Sequence, residues 1–223
     1  MTRITAPGGI RTARCSDLVD VRTRVIAAAV ALVALSFAAG CGSKEPSTLV
    51  GYRLDPAPRV GDLALPDAAT GDPVAFTARP DGLMLVYFGY TSCPDMCPTT
   101  MTYLRGALNR LDSDGVDISQ LDTSMVTVDP ARDTGTVLPG YITSYIANAR
   151  GLRTEDPAAL AAAAKRFGVS YTVTGSGADT EVSHSGSLYV VDDQGGVVDV
   201  MPFGVTAEDM VNDLRILLKE ATK

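Results

Sequence analysis

Residues 83–88, Leu-Met-Leu-Val-Tyr-Phe, are apolar at every position, which predicts a strand buried on both faces. Downstream, Met101, Leu104, Leu108 and Leu111 recur at intervals of three and four. That spacing predicts a helix from Pro98 to about Leu111 with one apolar face. Pro98 suits its first turn, where a missing N–H costs nothing. Ser124-Met-Val-Thr-Val128 reads as a second buried strand, stopped by Asp129-Pro130. Residues 136–149 read as a helix, and residues 157–167 as another, with Asp156 as its cap and Pro157 at its first position. A short strand is expected over 169–174, a flexible loop over 175–179, and a strand over 187–191. The turn Asp192-Asp-Gln-Gly-Gly196 then returns the chain antiparallel over 197–200. Thr206 is placed to cap a last helix whose Met210, Leu214, Leu217 and Leu218 face the core. Earlier, short apolar pieces over 60–80, broken by Pro66, Gly71 and Pro73, suggest a small hairpin at a sheet edge.

This order predicts an α/β fold with a central mixed sheet flanked by helices. The cysteine-bearing loop between the first buried strand and its helix is similar to the thioredoxin layout. The hairpin over 60–80 and the helical segment over 136–167 are additions to it.

Before this domain the pattern changes. Arg22 and Arg24 precede 15 apolar or small residues, 25–39, and then Gly40 and Cys41. A basic stretch followed by a short apolar one describes an export signal, and the run is below the ~18–20 residues that span a bilayer. Ala38-Ala-Gly-Cys41 resembles a bacterial lipobox, with Ala38 where Leu is usual. That implies a lipid on Cys41 and a domain held at the outer face of the cell membrane. An uncleaved anchor or an ordinary secretory signal would also place the domain outside the cytoplasm. Asp17, Asp20 and Cys15 do not suit an export leader, so translation is expected to start near Val19 or Val21. The organisation expected is an export signal over 1–40, a lipid-anchored linker over 41–58 and one domain over 59–223.

Charge narrows the function. The chain carries a net charge of −7, and residues 1–40 hold five Arg and two Asp. Residues 41–223 therefore keep 14 basic and 24 acidic side chains, net −10. An acidic surface argues against nucleic acid as a partner, since phosphate backbones reward basic patches.

The chemistry lies in Cys93-Pro-Asp-Met-Cys-Pro98 and in the only histidine of the chain, His184. With Cys41 lipidated and Cys15 removed, Cys93 and Cys97 have no other cysteine partners. They form no structural disulfide framework. Outside the cytoplasm two neighbouring thiols tend to oxidise unless reduced or metal-bound. If both were helical, their Cα atoms would lie about 6 Å apart, close enough to share an ion or to close a disulfide. The helix start beside them favours thiolate. Two soft sulfurs and an imidazole suit copper in both oxidation states. Structural zinc wants four ligands, and iron–sulfur clusters want more cysteines. A purely redox dithiol stays open, although three residues separate the cysteines where redox pairs usually have two. Asp95 and Met96 read as surface residues meeting a partner. Tyr87 and Tyr90 are expected to pack against the loop, where one could tune it electronically. Asp129 and Asp133 bracket Pro130 and Arg132, as a local turn with an Asp–Arg pair or as residues shaping the site.

Together, Cys93-Pro-Asp-Met-Cys-Pro98, Val128-Asp-Pro-Ala-Arg-Asp-Thr134 and His184-Ser185 ahead of Leu188-Tyr-Val-Val-Asp192 resemble the Sco/SenC family over residues 58–219. The resemblance implies a thioredoxin-like fold and one copper held by Cys93, Cys97 and His184. It also implies a role in building the copper-A centre of cytochrome c oxidase. The partners it implies are the oxidase subunit carrying that centre and an upstream copper chaperone. Copper delivery, thiol–disulfide reduction of the oxidase cysteines, or both would fit; a peroxiredoxin-like or redox-signalling role is the reading from a different class. One departure stands out. The family usually carries Asp just before the histidine, and Ser183 stands there, which bears on how His184 is oriented.

Overall fold

The computed structural model describes residues 48–223. The export signal expected over 1–40, Cys41 and the first part of the expected linker lie outside the described residues. In chain order the strands are β1 (Ala64–Pro66), β2 (Pro73–Ala75), β3 (Leu83–Gly89), β4 (Leu121–Thr127), β5 (Arg150–Leu152), β6 (Tyr171–Thr174), β7 (Glu181–His184), β8 (Leu188–Val191) and β9 (Val197–Met201). The helices are α1 (Met96–Ser113), α2 (Val137–Tyr145), α3 (Pro157–Phe167) and α4 (Ala207–Ala221). Among them, none is long and apolar enough to cross a membrane.

A five-stranded sheet runs β5-β4-β3-β8-β9. β3 is its centre, parallel to β4 and antiparallel to β8, and all seven of its residues are buried. The uninterrupted apolar run follows from that position, since both strand faces meet protein. Tyr87 points to the α1 side, against Cys97. Phe88 points the other way, into a cluster with Phe167 of α3 and Tyr189 of β8. Phe76 completes the cluster edge-on to Phe167 at 5.0 Å, and aromatic pairs of this kind add about 0.5–1.5 kcal/mol beyond their burial.

The helix ends follow the capping chemistry. Asp156 accepts from the Ala158 amide, Pro157 begins α3, and Gly168 ends it in the left-handed region at φ 75°. Thr206 and Asp209 form a reciprocal capping box on α4.

Two strands escape the pattern. The helix expected over 136–149 is shorter, α2 stopping at Tyr145, and just beyond its expected end β5 (Arg150–Leu152) pairs parallel with β4. Three residues carry too little periodicity to reveal a strand, but Gly151 shows why one fits. A Cβ there would lie 2.6 Å from Leu138 of α2, so the small residue lets helix and strand close together. β7 is the other. It pairs with β6 in a two-stranded ribbon of its own, and the β1–β2 hairpin sits beside β5 through an Asp67–Leu152 bridge.

Residues 48–58, read from the sequence as linker, lie against the domain. Tyr52 bridges Val200 of β9, and the amides of Val50 and Gly51 donate to Asp213 of α4. Pro58 accepts from the Val197 amide.

Candidate metal centre

Three distant sequence positions converge at the end of β3. The loop after β3 carries Cys93, and the chain turns back at 90–93 through a Cys93 amide to Tyr90 carbonyl bond of 3.3 Å. α1 begins at Met96, two residues earlier than expected from Pro98, so Cys97 sits inside the first helical turn while Cys93 precedes it. The Cys97 amide, a free donor of that first turn, points at Cys93 Sγ at 3.3 Å. His184 arrives as the last residue of β7, paired with Tyr171 of β6. It ends a strand that no apolar run announces, because three of Glu181, Val182, Ser183 and His184 are polar.

The result is a three-residue donor set. The two sulfurs and one imidazole nitrogen lie within 4.8 Å of one another, the only such cluster of Cys, His, Asp and Glu among the described residues. Nε2 of His184 is 3.4 Å from Cys97 Sγ, and Nδ1 is 2.9 Å from the Ser185 carbonyl. A carbonyl only accepts, so Nδ1 carries the proton and Nε2 turns its lone pair toward the sulfurs. Burial lowers the His184 pKa, which favours the neutral ring a metal requires. The ring is held edge-on by Tyr90 at 5.7 Å and Tyr87 at 6.1 Å. Ser183 is exposed and takes no part. The backbone of Ser185 therefore supplies the orienting contact that an acidic neighbour would otherwise give.

Cys93 is partly exposed and Cys97 fully buried. Burial pushes the Cys97 thiol up to about 12, opposed by the Tyr90 amide. For Cys97 this reverses the thiolate expected from the helix start, since the loss of water around the sulfur outweighs the helix terminus. A bound metal would supply the missing positive charge and displace that proton.

Gly89 is what lets the sulfur approach the sheet. A Cβ there would sit 2.7 Å from the Tyr87 ring, 2.9 Å from Cys97 Sγ and 3.1 Å from Met125. Gly89→Ala is expected to destabilise the protein by about 1–3 kcal/mol, the usual cost of overpacking, measured by denaturant unfolding. Sequence reading passed over this residue; its place between Phe88 and Tyr90 was the available signal.

Asp129 and Asp133 have separate jobs. Asp129 pairs with Arg132, as a local turn would have it, and Arg132 also stacks over Tyr90 at 5.7 Å. Asp133 is fully buried and reaches across to the cysteine loop. It accepts from the Thr91 amide at 3.1 Å, the Thr91 hydroxyl at 2.6 Å and the Thr127 hydroxyl at 2.6 Å. Burial raises its pKa, and the threonine hydrogen bonds oppose the rise. It fixes the residue two before Cys93 and stays one layer behind the donor set. Asp133→Ala should leave these donors unpaired at about 1–3 kcal/mol. The loosened loop should show as faster amide hydrogen exchange at Thr91 and Cys93.

Met96 packs beyond the ligands. A Cβ at Gly186 would lie 2.0 Å from its sulfur and 3.2 Å from Phe203 Cβ. Phe203 is 49% exposed.

With this geometry in view, the chain can be set beside known proteins. The SCO1/SenC family model matches residues 67–219. SenC of Rhodobacter capsulatus is 35% identical over 130 residues, 58% of this chain and 57% of that protein. The chain spans between about half and two thirds of the length of the curated relatives it matches. Among solved structures, apo Sco1 of Thermus thermophilus superposes with a TM-score of 0.65 at 31% identity, covering 79% of this chain and 99% of that one. Yeast Sco1 with copper bound gives a TM-score of 0.62 at 27% identity, covering 73% and 90%. A family match that takes in all three motifs, over a thioredoxin-like fold that brings them together, places this chain in the SCO1/SenC family.

Proposed function

We propose that this protein binds one copper ion through Cys93, Cys97 and His184, outside the cytoplasm, and supplies it to the copper-A centre of cytochrome c oxidase. The observation that carries this reading is the convergence of two sulfurs and a lone-pair nitrogen within 4.8 Å, with the imidazole already in the required tautomer. Sulfur suits Cu(I), imidazole suits both copper states, and three donors leave structural zinc one ligand short. A partly exposed Cys93 beside a buried Cys97 gives the ion one accessible side, from which a receiving protein could take it. Copper here is cargo, passed on rather than kept.

The anchor belongs to the same proposal. A lipid on Cys41 would hold the domain at the outer membrane face, within reach of the oxidase subunit that carries the centre. An upstream copper chaperone would load it there.

The pair also supports a second reading. With the Cys97 amide 3.3 Å from Cys93 Sγ, the sulfurs are neighbours and can close a disulfide. The dithiol would give up two electrons and two protons to reduce a disulfide on the oxidase.

A deletion strain separates these. Restored oxidase activity on added copper supports delivery, and restoration by a thiol reductant alone supports the reductase. Purified wild-type protein titrated with Cu(II) should develop sulfur-to-copper charge-transfer absorption at one ion per chain. Failure to bind copper would end the delivery reading.

A further inference from the structure

Tyr87 is fully buried on β3. Its hydroxyl has no hydrogen-bond partner of ordinary geometry. Such orphans are uncommon inside proteins and call for a reason.

The neighbourhood supplies one. The polar side chains nearest in effect to this hydroxyl are Cys97, Thr100 and, more weakly, Cys93. The Tyr87 ring and Cys97 Sγ meet across Gly89, 2.7 Å and 2.9 Å from the point where a Cβ of residue 89 would stand. Thr100 donates its own proton to the Met96 carbonyl at 2.9 Å, and its oxygen is not placed to accept from the Tyr87 hydroxyl. A neutral thiol is a weak acceptor, so little is gained while Cys97 keeps its proton. A thiolate holding a metal is a strong one.

We propose that Tyr87 is a positioning residue that donates its O–H to the Cys97 sulfur when that sulfur binds copper, and so draws charge away from it. The inference rests on the copper reading above. Hydrogen bonds to a ligating cysteine sulfur adjust the electronics of a copper site. With this one in place, the sulfur gives less charge to Cu(II), and the Cu(I) state gains relative to it. The orphan hydroxyl is then a donor held ready for the loaded state. The same ring steadies His184 edge-on at 6.1 Å.

The test is Tyr87→Phe in the full chain, which keeps the ring and removes only the hydroxyl. Unloaded, the variant should unfold no earlier than wild type, because it loses an unpartnered polar group. Loaded with Cu(II), its sulfur-to-copper band should move to longer wavelength and its copper reduction potential should become more negative. Tyr141→Phe removes another buried, unpartnered hydroxyl, on α2, and should leave the band in place. A Tyr87→Phe band that superimposes on wild type overturns the inference. A wild-type protein that shows no such band overturns the copper reading itself, and this inference with it.

Discussion

His184→Ala is expected to abolish the sulfur-to-copper charge-transfer colour of the Cu(II) protein and to weaken copper binding by more than about 100-fold. Losing a residue that merely orients a ligand typically costs 10–100-fold, and the proposed function makes His184 a ligand itself. The two sulfurs remain in the variant, so residual Cu(I) binding is expected to survive while Cu(II) binding collapses. Sulfur alone suits the softer ion, and the imidazole is what brings in the harder one. The fold should be spared. His184 ends a two-stranded ribbon outside the five-stranded sheet, and the alanine keeps the backbone pairing with Tyr171. Copper titration followed by absorption, beside circular dichroism of the unloaded protein, measures both effects. Full Cu(II) affinity in His184→Ala would remove the histidine from the donor set.

Asp199→Asn is expected to flatten the dependence of stability on pH, and to stabilise the protein at pH 8. Asp199 is fully buried on β9, and neither carboxyl oxygen has a hydrogen-bond partner. Its carboxyl lies against Gly51, where a Cβ would come within 2.4 Å of it. The groups facing it are Asp213 from α4 and Arg53 from the N-terminal segment. Burial and then Asp213 push its pKa up to about 7, against the Val200 amide and Arg53. The unfolded chain releases this proton near the ordinary Asp value of about 4. Stability from this group is therefore intact at pH 4 and below, falls as pH rises to about 7, and is flat above. A difference of about three pKa units corresponds to roughly 4 kcal/mol. A newly buried amide costs about 1–3 kcal/mol at every pH, leaving a net gain of about 1–3 kcal/mol at pH 8 and a net loss of about 1–3 kcal/mol at pH 4. Denaturant unfolding at several pH values measures it. An unchanged slope in Asp199→Asn would show that this carboxyl holds no proton at neutral pH. Asp213 is a different matter: it accepts the Val50 and Gly51 amides and the Asn212 side chain, so it is matched by donors where Asp199 is not.

The apolar pattern carried most of the architecture because the central strands bury both faces. β3 and β8 are continuous apolar runs, β4 is apolar only at Leu121, Met125 and Val126, and α3 and α4 open on Asp156-Pro157 and Thr206, where cap chemistry is local and readable. β5 and β7 were hidden for the opposite reason. Arg150–Leu152 is three residues long, and Glu181–His184 has Val182 as its only apolar residue; tertiary pairing makes them strands, and no local periodicity announces it. The donor set was legible from residue types, since two cysteines, one histidine and the surrounding motifs leave few alternatives. Its support was not. The Ser185 carbonyl that sets the His184 tautomer, the reach of Asp133 to Thr91 and the space left by Gly89 are backbone and packing facts. Burial is also why Cys97 departs from the thiolate that its helix position suggests.

X-ray absorption at the copper edge of the Cu(I)- and Cu(II)-loaded protein tests the central claim most directly. Two sulfur scatterers and one imidazole nitrogen in the Cu(II) form, with the sulfurs kept and the imidazole signal lost in His184→Ala, are the expected result. A copper ion surrounded by oxygen and nitrogen alone, with no sulfur neighbour, would contradict the account.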